Sequence, residues 1–454
     1  MMDFWKKYCS CGHESKMFFK HMRIDESANE CLDALIRVTA DRISHSSVQP
    51  CSGLEPFYEI NADITDYMKY YRFSALKVKV LRGQEKIGAN IIELACYDQK
   101  ILLDFGRELE NTSGELTAIE KSILQNEYCA AFITHYHGDH AANISKLRCP
   151  VYMGKKCAEV IRVVADYTGK NMLPIDLRAF EDGKTRRIGP FVVTPYLCDH
   201  SAYDSYMLYI KNLRGDTGIL YTGDFRATGR KSFEQLLARL PRNIDTLICE
   251  GTNIGQIRPQ CTEREIERQA FILMQQRKKP VFVLQSSTNI DRLVSFYRAA
   301  KKAKRKFYMD DYQAQVCFSV GGRIPNPDSF DDVFAFKSPK SRKFPERFEE
   351  IENTLQAKDF FALDYVMLIR NSHLPLLRKI SARSDILKNA VLIYSMWEGY
   401  KQNETMQIFL KAIEDIGIQT CLLHTSGHAD ENTINKLIRH TNAKEVVVVH
   451  TCPQ

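Results

Sequence analysis

The sequence predicts an α/β protein built from more than one structural unit, and three observations support this fold class. A chain of 454 residues exceeds the size at which one hydrophobic core keeps growing. Its content of 44% hydrophobic and 26% charged residues is typical of globular proteins. Short apolar segments bounded by Gly, Asp and Asn alternate with amphipathic segments of helical period. We therefore expect one α/β unit over residues 75–250 and a second over residues 251–390.

Residues 1–74 have a mostly helical pattern and are predicted to form an extension that precedes these units. Cys9, Cys11 and His13 have the residue types of a zinc site, but no second pair follows at finger-like spacing, so we expect ordinary thiols there. No apolar run reaches the ~18 residues that span a bilayer, and the first residues lack a signal-peptide core. With 14 cysteines, many in apolar runs, these features favour a reducing, cytoplasmic location away from membranes.

Nine short apolar segments in the first unit are predicted to be strands, because each ends at turn-forming residues. We expect two or three helices between them. The predicted strands are ALKVKVL (75–81), GANIIELACY (88–97), KILLDFG (100–106), AAFITH (130–135), VYMG (151–154), FVVTPYL (191–197), SYMLYI (205–210), GILYTGD (218–224) and TLICEGT (246–252).

The second unit is predicted to begin with a helix over residues 262–279, where Thr262 and Glu265 have the spacing of a capping box. Residues 280–311 then have the pattern of a strand, a polar turn, a helix and a strand, which predicts a βαβ unit with parallel strands. The composition of residues 319–350, rich in Pro, Ser, Asp and Lys, predicts a surface excursion.

The positive charge of the chain is concentrated in the second unit. Residues 251–390 contain 25 lysines and arginines against 16 acidic residues, a net charge of +9, whereas the rest of the chain carries −2. One of the densest runs is KKAKRK, residues 301–306. Charge runs usually mark solvated faces, but this asymmetry also suits a polyanionic partner.

The segment THYHGDH, residues 134–140, concentrates metal-binding side chains after a buried strand. Side chains alternate in an extended segment, so we expect His135 and His137 to share one metal ion. Gly138 is expected to let the chain turn, which places Asp139 and His140 at the start of a helix beside a second ion. This set suits two adjacent borderline metals such as Zn²⁺, and the carboxylate-bearing position also suits Mn²⁺.

Further ligands are expected at the carboxyl ends of other strands, where α/β sheets bind their ligands. His200 is predicted to complete a three-histidine site, Asp224 to bridge both ions, and Asp104 to orient a ligand from behind. Each residue taken alone is better explained by a turn or a capped strand end. Their common position after strands favours a metal centre.

The segment QSSTNIDR, residues 285–292, places small polar residues at a predicted helix N-terminus, where backbone N–H groups favour phosphate, although ordinary capping explains such residues equally well. We name this turn, together with two further candidates, as the predicted substrate-binding set: Ser286, Ser287, Thr288, Asn289, Arg292 and Ser395.

Four segments in succession, LLDFG, THYHGDH, CDHS and TGDFR, resemble the motifs of the metallo-β-lactamase superfamily. Three later segments, CEGTN with Glu250, TSGHA with His428 and VVVVH with His450, resemble its β-CASP branch of RNA-processing, ribonuclease J-like nucleases. The resemblance implies an αβ/βα sandwich, a β-CASP domain inserted over residues 251–390, and a return to the sandwich over residues 391–454. It also implies that His450 adds a ligand to the second metal.

The function expected from this resemblance is a two-zinc ribonuclease that acts on single-stranded RNA, with DNA as a second substrate left open. A hydroxide activated by two metals would attack a backbone phosphorus and leave a 5′-phosphate and a 3′-hydroxyl. The expected catalytic residues are Asp139, which is also a ligand, His428, which holds or protonates the phosphate, and Glu250, which orients His428.

Three alternatives remain open at this point: a DNA nuclease of the same family, a hydrolase of small thioesters or lactones, and a non-catalytic RNA-binding scaffold. The basic insertion argues against the small-substrate enzyme, and the complete ligand set argues against the scaffold. The sequence also leaves open a homo-oligomer and the choice between internal and terminal cutting.

Overall fold

Three six-stranded sheets organise the chain in this computed structural model, which describes residues 76–84, 88–108, 115–215, 217–256, 261–337 and 353–451. The predictions made for residues 1–74, including Cys9, Cys11 and His13, lie outside the described residues. None of the helices in the described ranges is long and apolar enough to cross a membrane.

The first sheet has the strand order β1-β2-β3-β4-β5-β6, antiparallel from β1 to β3 and parallel from β3 to β6. Its strands are Lys77–Arg82 (β1), Ile91–Cys96 (β2), Gln99–Leu103 (β3), Ala130–Phe132 (β4), Val151–Gly154 (β5) and Leu177–Phe180 (β6). The helices that connect them are Ala118–Gln125 (α1), Gly138–Ala141 (α2) and Lys155–Thr168 (α3), with a 3₁₀ turn at Ile144–Lys146.

The second sheet is mixed and contains the last strand of the chain. Its strands are Arg186–Ile188 (β7), Phe191–Cys198 (β8), Ser205–Asn212 (β9), Gly218–Tyr221 (β10), Thr246–Glu250 (β11) and Glu445–Val449 (β18). Their order is β18-β11-β10-β9-β8-β7, with β10, β11 and β18 parallel and the other pairs antiparallel. Helices Phe233–Leu237 (α4) and Glu431–Thr441 (α10) pack on this sheet.

The first two sheets pack face to face over a shared apolar core. Ile101 and Leu103 of the first sheet lie in one cluster with Phe191, Leu208 and Tyr221 of the second. Helix α3 packs on the outer face of the first sheet, and α4 and α10 cover that of the second. The predicted αβ/βα sandwich is confirmed, because each sheet buries one face against its partner and the other against helices.

The third sheet is entirely parallel, with the order β14-β13-β15-β12-β16-β17. Its strands are Val281–Leu284 (β12), Lys306–Asp310 (β13), Val333–Phe336 (β14), Tyr365–Ile369 (β15), Val391–Tyr394 (β16) and Gln419–Leu422 (β17). Its helices are Glu263–Gln276 (α5), Ile290–Lys302 (α6), Asp311–Val320 (α7), Leu374–Ser381 (α8) and Glu404–Asp415 (α9). Shorter 3₁₀ turns lie at Ala357–Phe361, Asn371–His373, Asp385–Leu387 and Glu398–Gln402.

Several local predictions differ from the structure in instructive ways. The βαβ unit at residues 281–310 is parallel as predicted, but β15 lies between its two strands. Within residues 319–350, predicted to be a surface excursion, Val333–Phe336 forms a strand, because its apolar side chains pack against β13. Strands β16 and β17 join the third sheet, so the chain returns to the second sheet with β18, later than residue 391.

Candidate metal centre and its surroundings

Parallel strands bring the candidate ligands to one edge of the sandwich. Strands β10, β11 and β18 run side by side in the same direction, and Asp224, Glu250 and His450 lie at or just beyond their carboxyl ends. In the other sheet, β3 and β4 are parallel neighbours that end before Asp104 and His135. The fold therefore gathers residues that are more than 300 positions apart in the sequence.

The first group of ligand atoms consists of three histidines. His135, His137 and His200 each offer one ring nitrogen, and these nitrogens lie within 4.8 Å of one another. His200 Nε2 lies 3.1 Å from His137 Nδ1. The spacing matches the ligand set of one metal ion with nitrogen donors.

The second group contains Asp139, His140, Asp224 and His450, again within 4.8 Å of one another. His450 Nε2 lies 3.2 Å from Asp139 Oδ2, and His140 Nε2 lies 3.2 Å from Asp224 Oδ2. The same Asp224 oxygen is 3.9 Å from the Nε2 atoms of both His135 and His200. Asp224 therefore lies between the two groups, where one carboxylate can serve two ions.

In three of the imidazoles, the Nδ1 atom lies within hydrogen-bond distance of an oxygen atom of the chain. His140 Nδ1 lies 2.7 Å from Asp104 Oδ2, and His200 Nδ1 lies 2.6 Å from the Gly427 carbonyl oxygen. His450 Nδ1 lies 2.8 Å from Thr252 Oγ1. When Nδ1 of each ring donates to these oxygens, Nε2 keeps its lone pair and faces the centre, as metal-binding histidines require.

Asp104 is itself held by several donors. Its carboxylate accepts hydrogen bonds from the Tyr221 hydroxyl at 2.7 Å and from the Thr134 amide at 2.8 Å. The Asp104 side chain is fully buried. A carboxylate fixed in this way fixes the ring of His140.

Burial sets the protonation of the histidines. It lowers the pKa of His137 to about 4, and it lowers the pKa of His135 and His200 well below the usual value, with neighbouring imidazoles adding to the effect for both. Burial also acts to lower the pKa of His140, but the carboxylates of Asp224 and Asp104 outweigh it and raise that pKa. The three-histidine group is thus neutral near pH ~7, the form that binds metals.

Three buried polar atoms at the centre have no hydrogen-bond partner among the described residues. They are His135 Nε2, His140 Nε2 and Asp224 Oδ1. A buried polar atom without a partner is costly and rare in native proteins. Cations between the two groups would satisfy all three atoms, so the residues fit a pair of borderline metal ions.

His428 and Glu250 form a pair beside the second group. His428 Nδ1 lies 2.9 Å from Glu250 Oε2, and the side chain of His428 remains 22% exposed. Burial acts to lower the pKa of His428, but the carboxylates of Glu250 and Asp224 raise it to about 9. The pair presents an imidazole with an N–H group to the space above the metal centre.

The predicted phosphate-binding turn lies at the amino end of α6. Ser286 is exposed, Ser287, Thr288 and Asn289 are half-buried, and the Asn289 side chain caps the helix by accepting from the Arg292 amide. The side-chain amide of Gln285, directly before the turn, is buried without a hydrogen-bond partner in the described residues. Among the described residues, polar atoms without a partner therefore lie directly before this helix N-terminus, at Gln285.

The side chains of Arg292 and Ser395 are buried in the fold, which corrects their prediction as substrate contacts. Arg292 is fully buried and its guanidinium contacts Glu263, while Ser395 Oγ donates to the Leu423 carbonyl at 2.6 Å. Arg292 Nη1 also reaches Ser395 Oγ, 2.5 Å away. The sequence shows that an arginine lies near the start of a helix, but it does not show whether the side chain points to solvent or into the interior. Here the guanidinium group forms its ion pair inside the fold.

Sequence reasoning missed a tyrosine that connects the metal segment to the third sheet. The Tyr136 hydroxyl donates to the Thr288 carbonyl at 2.6 Å and accepts from the Tyr203 amide at 3.0 Å. The sequence could have indicated this role. Side chains alternate in an extended segment, so Tyr136 points away from the face that His135 and His137 share.

Two exposed aromatic residues near the centre were also missed. Trp397 is 58% exposed and Tyr400 44% exposed, and their rings meet edge to face at 5.5 Å. Partial burial raises the pKa of Tyr400, and the negative charge of the Asp139 carboxylate adds to the effect, so the Tyr400 hydroxyl lies within electrostatic range of the second ligand group. Large exposed aromatic side chains next to a polar cleft are typical of binding surfaces.

Comparisons with known proteins show which proteins this chain is similar to. Residues 420–454 match the family model of a Zn-dependent metallo-hydrolase RNA specificity domain. Ribonuclease J from Sinorhizobium meliloti (strain Sm2011 / Rm2011 / 2011) is 24% identical over 190 residues, 39% of this chain and 33% of that protein. DNA cross-link repair 1A protein from Gallus gallus is 30% identical over 132 residues, 28% of this chain and 12% of that protein. The matches span about a third or less of these relatives.

Among solved structures, a protein of unknown function from Enterococcus faecalis V583 has a similar fold. The two chains align with a TM-score of 0.68 at 20% identity, over 83% of this chain and 94% of that chain. This likeness concerns the fold alone.

Proposed function

Because the chain is similar to the β-CASP, ribonuclease J-like branch of the metallo-β-lactamase superfamily, we propose that it is a metal-dependent ribonuclease. One observation supports this most strongly. Asp224 lies between the two ligand groups, which enclose three buried polar atoms that have no hydrogen-bond partner among the described residues. The site lies at the edge of the sandwich and includes His428 and His450, which belong to the segment that matches a domain described by its RNA specificity.

The residues that would hold two cations are the two groups described above. They are His135, His137 and His200 for one ion and Asp139, His140 and His450 for the other, with Asp224 between them. Bound there, divalent ions would supply Lewis acidity that activates water and offsets phosphate charge. The nitrogen-rich donor set favours zinc at the first position, and the carboxylates also accept manganese at the second.

The chain's own residues then position the reacting groups. A water attacks the phosphorus opposite the 3′ oxygen, the P–O3′ bond breaks, and the products carry a 5′-phosphate and a 3′-hydroxyl. His428 Nε2 donates a proton or a hydrogen bond to the phosphate or to the departing oxygen, while Glu250 holds Nδ1 at 2.9 Å. Asp139 contributes a carboxylate next to the same space.

Features around the centre favour a single-stranded substrate. The turn at Ser286–Asn289 offers hydroxyl and backbone N–H groups to a phosphate, and Trp397 and Tyr400 offer exposed rings to unpaired bases. Unpaired bases stack on aromatic side chains, whereas bases in a duplex are already stacked. A thioester or lactone needs neither feature.

DNA is the second candidate substrate, and a specific observation favours keeping it. The DNA cross-link repair relative shares 30% identity with this chain over its matched residues, more than the ribonuclease relative does. We place RNA first because the matched domain model is described by RNA specificity and includes His450.

A cytoplasmic location also remains our proposal. The nine cysteines in the described ranges form no disulfide with one another, and several are fully buried. Reduced, buried thiols are typical of a reducing compartment.

The experiment that tests the function compares substrates directly. The zinc-loaded protein is incubated with end-labelled single-stranded RNA and DNA of the same sequence and with a thioester, alongside the His137→Ala variant. We expect RNA cleavage with 5′-phosphate products by the intact protein and none by the variant. Faster DNA cleavage, thioester hydrolysis alone, or equal activity in the variant would each refute the proposal.

A further inference from the structure

A groove on the outer side of the second sheet lies outside the metal centre. It runs between α4 and α10, and its wider part is a cavity of ≈ 680 Å³. Arg264 at the start of α5 and Arg298 on α6 close its other side. The groove is thus built from both the sandwich and the helices that pack on the third sheet.

Basic side chains dominate the wider cavity. Five line it, Arg230, Lys231, Arg264, Arg298 and Lys436, against the acidic Glu234 and Asp430. Lys436 pairs with Glu234. Glu267, on the flank, lies 3.4 Å from Arg230 and 3.9 Å from Arg298. These carboxylates neutralise only part of the charge, because Lys231 and Arg264 form no ion pair with any residue the structure describes.

The basic surface continues into a second cavity of ≈ 450 Å³ that shares Glu234 and Lys436 with the first. Arg242, Arg439 and His440 add further donors there. Arg439 and His440 lie in the last turn of α10. The two cavities together form a continuous track with positive charge at both ends, which a compact small molecule would not need.

Short connections link the track to the metal centre. The amides of Arg230 and Lys231 donate to the Asp199 carboxylate at 3.2 and 3.1 Å, and Asp199 directly precedes the ligand His200. At the other side, Asp430 follows His428 by two residues. The loops that form the centre therefore also form the near end of the track.

We propose that this groove binds consecutive phosphates of an RNA strand outside the metal centre. The inference rests on the proposed function, and it adds a second contact region to the same strand. The segment that matches an RNA specificity domain includes all of α10, which forms one wall. Arginine and lysine lining a track of this kind recognise phosphate charge without reading bases.

Two consequences distinguish such a track from a site for one small phosphate. Only an RNA long enough to reach both the centre and the track gains affinity from it. Each phosphate contact to a single strand adds ~0.7 to the slope of log affinity against log salt concentration. Replacing two basic side chains of the groove should therefore reduce that slope by about 1.4 for long RNA and leave the slope for short RNA unchanged.

The test uses the full chain carrying His137→Ala, so that binding is measured without cleavage. Affinity for labelled RNA of about 5 and about 25 nucleotides is measured across salt concentrations, with and without Arg264→Ala and Arg439→Ala together. The matched control is Lys121→Ala with Arg187→Ala, two exposed cations on α1 and β7. We expect the groove variant alone to bind the longer RNA at least tenfold more weakly, with the reduced salt slope.

The failure of this proposal is distinguishable from failure of the function. An unchanged salt slope for the longer RNA would overturn the groove, whatever the cleavage assay shows. If the groove variant lost binding to ATP or inorganic polyphosphate but bound RNA as before, that result would also overturn the proposal and assign a small phosphate ligand to the groove. Absence of RNA cleavage by the intact protein would instead refute the proposed nuclease.

Discussion

Individual side chains around the candidate metal centre act mainly by holding one another. Thr252 lies 2.8 Å from both Glu250 and His450, so one hydroxyl serves the proton-donor pair and a ligand at once. From the other sheet, the Asp104 carboxylate holds the ring of His140 through its Nδ1 atom. Such outer contacts fix ring orientation before any ion or substrate arrives, which lowers the cost of assembling the site.

Glu250→Gln tests this positioning. The amide keeps the shape and one acceptor oxygen but removes the charge that holds the His428 N–H group. We expect kcat on RNA to fall about 10- to 100-fold, with metal content and KM nearly unchanged. Element analysis of the purified variant and steady-state kinetics measure the two effects. A loss of bound metal equal to the loss of rate would show that Glu250 serves the ions instead.

Single residues also show where sequence reasoning reached its limit. The segment THYHGDH and the carboxylates after strands were predicted from residue type and position, and the structure brings them together. Arg292 was predicted to contact substrate because the sequence shows its charge and its position near a helix start. The direction of its side chain depends on Glu263, which another helix contributes. Tyr136 was passed over because its partner, Thr288, lies 152 residues away.

At the scale of elements, the loop after β16 carries two exposed aromatic rings, those of Trp397 and Tyr400. Strand β16 ends at Tyr394, whose hydroxyl donates to the Trp397 carbonyl at 3.2 Å. The 3₁₀ turn that follows carries Tyr400, and Gly399 lies against the Trp397 ring, where a side chain of any size would collide. This packing holds the indole in place while leaving it exposed.

Trp397→Ala is expected to weaken binding of single-stranded RNA about tenfold, because base stacking on an aromatic ring contributes ~1–3 kcal/mol per base. Trp397→Phe should retain most of the affinity. The measurement is fluorescence anisotropy with labelled RNA in the His137→Ala background. Equal affinity in the alanine variant would remove the indole from the substrate path.

Elements were more predictable than their assembly. All nine predicted strands of the first unit contain a strand, and the helix after Thr262 begins as expected, with its hydroxyl accepting from the Glu265 amide. The Glu265 side chain pairs with Arg268 rather than with the cap. Strands β6 and β7 were missed because both are short and largely exposed, so their apolar signal is weak.

At the scale of the whole molecule, a buried charge network connects the sandwich to the helices of the third sheet. Arg226, from the loop after β10, contacts Asp199 at 2.9 Å, Asp291 at 2.9 Å and Glu263 at 3.2 Å. Arg292 binds Glu263 as well. Since both guanidinium groups are fully buried, the network holds these parts together only while every charge has a partner.

Glu263→Gln removes the carboxylate that two buried arginines share, and we expect it to destabilise the fold by about 3 kcal/mol or more. The matched control is Glu265→Gln, two residues along α5, where an exposed pair with Arg268 contributes little. Urea unfolding followed by circular dichroism compares the two. Equal midpoints for both variants would show that the network is not needed for stability.

The pH dependence of that difference follows from the pKa of Glu263. Burial acts to raise it, but Arg292 and Arg226 outweigh burial and hold it at about 2, below the ordinary 4.5. A carboxylate with a depressed pKa contributes stability above its unfolded pKa and loses it as the pH falls through the folded one. The gap between wild type and Glu263→Gln should therefore be full above pH ~5 and shrink toward pH ~2. A gap that grows with acidity would contradict the assignment.

The fold implied by seven short motifs is confirmed, and the chain is similar to a ribonuclease J over 190 residues, whereas the order of the third sheet was not accessible from the sequence. Strand order in a parallel sheet depends on crossover connections, and β15 enters between β12 and β13 from more than 50 residues downstream. No local pattern carries that information.

The most direct test of the metal centre is anomalous X-ray scattering at the zinc edge from crystals of the zinc-loaded protein. We expect two peaks, one among His135, His137 and His200 and one among Asp139, His140 and His450, with Asp224 between them. Two metal ions in those positions would account for the three buried atoms of the centre that have no hydrogen-bond partner in the part of the chain that the structure describes. The absence of both peaks, with the side chains still in this arrangement, would contradict the account.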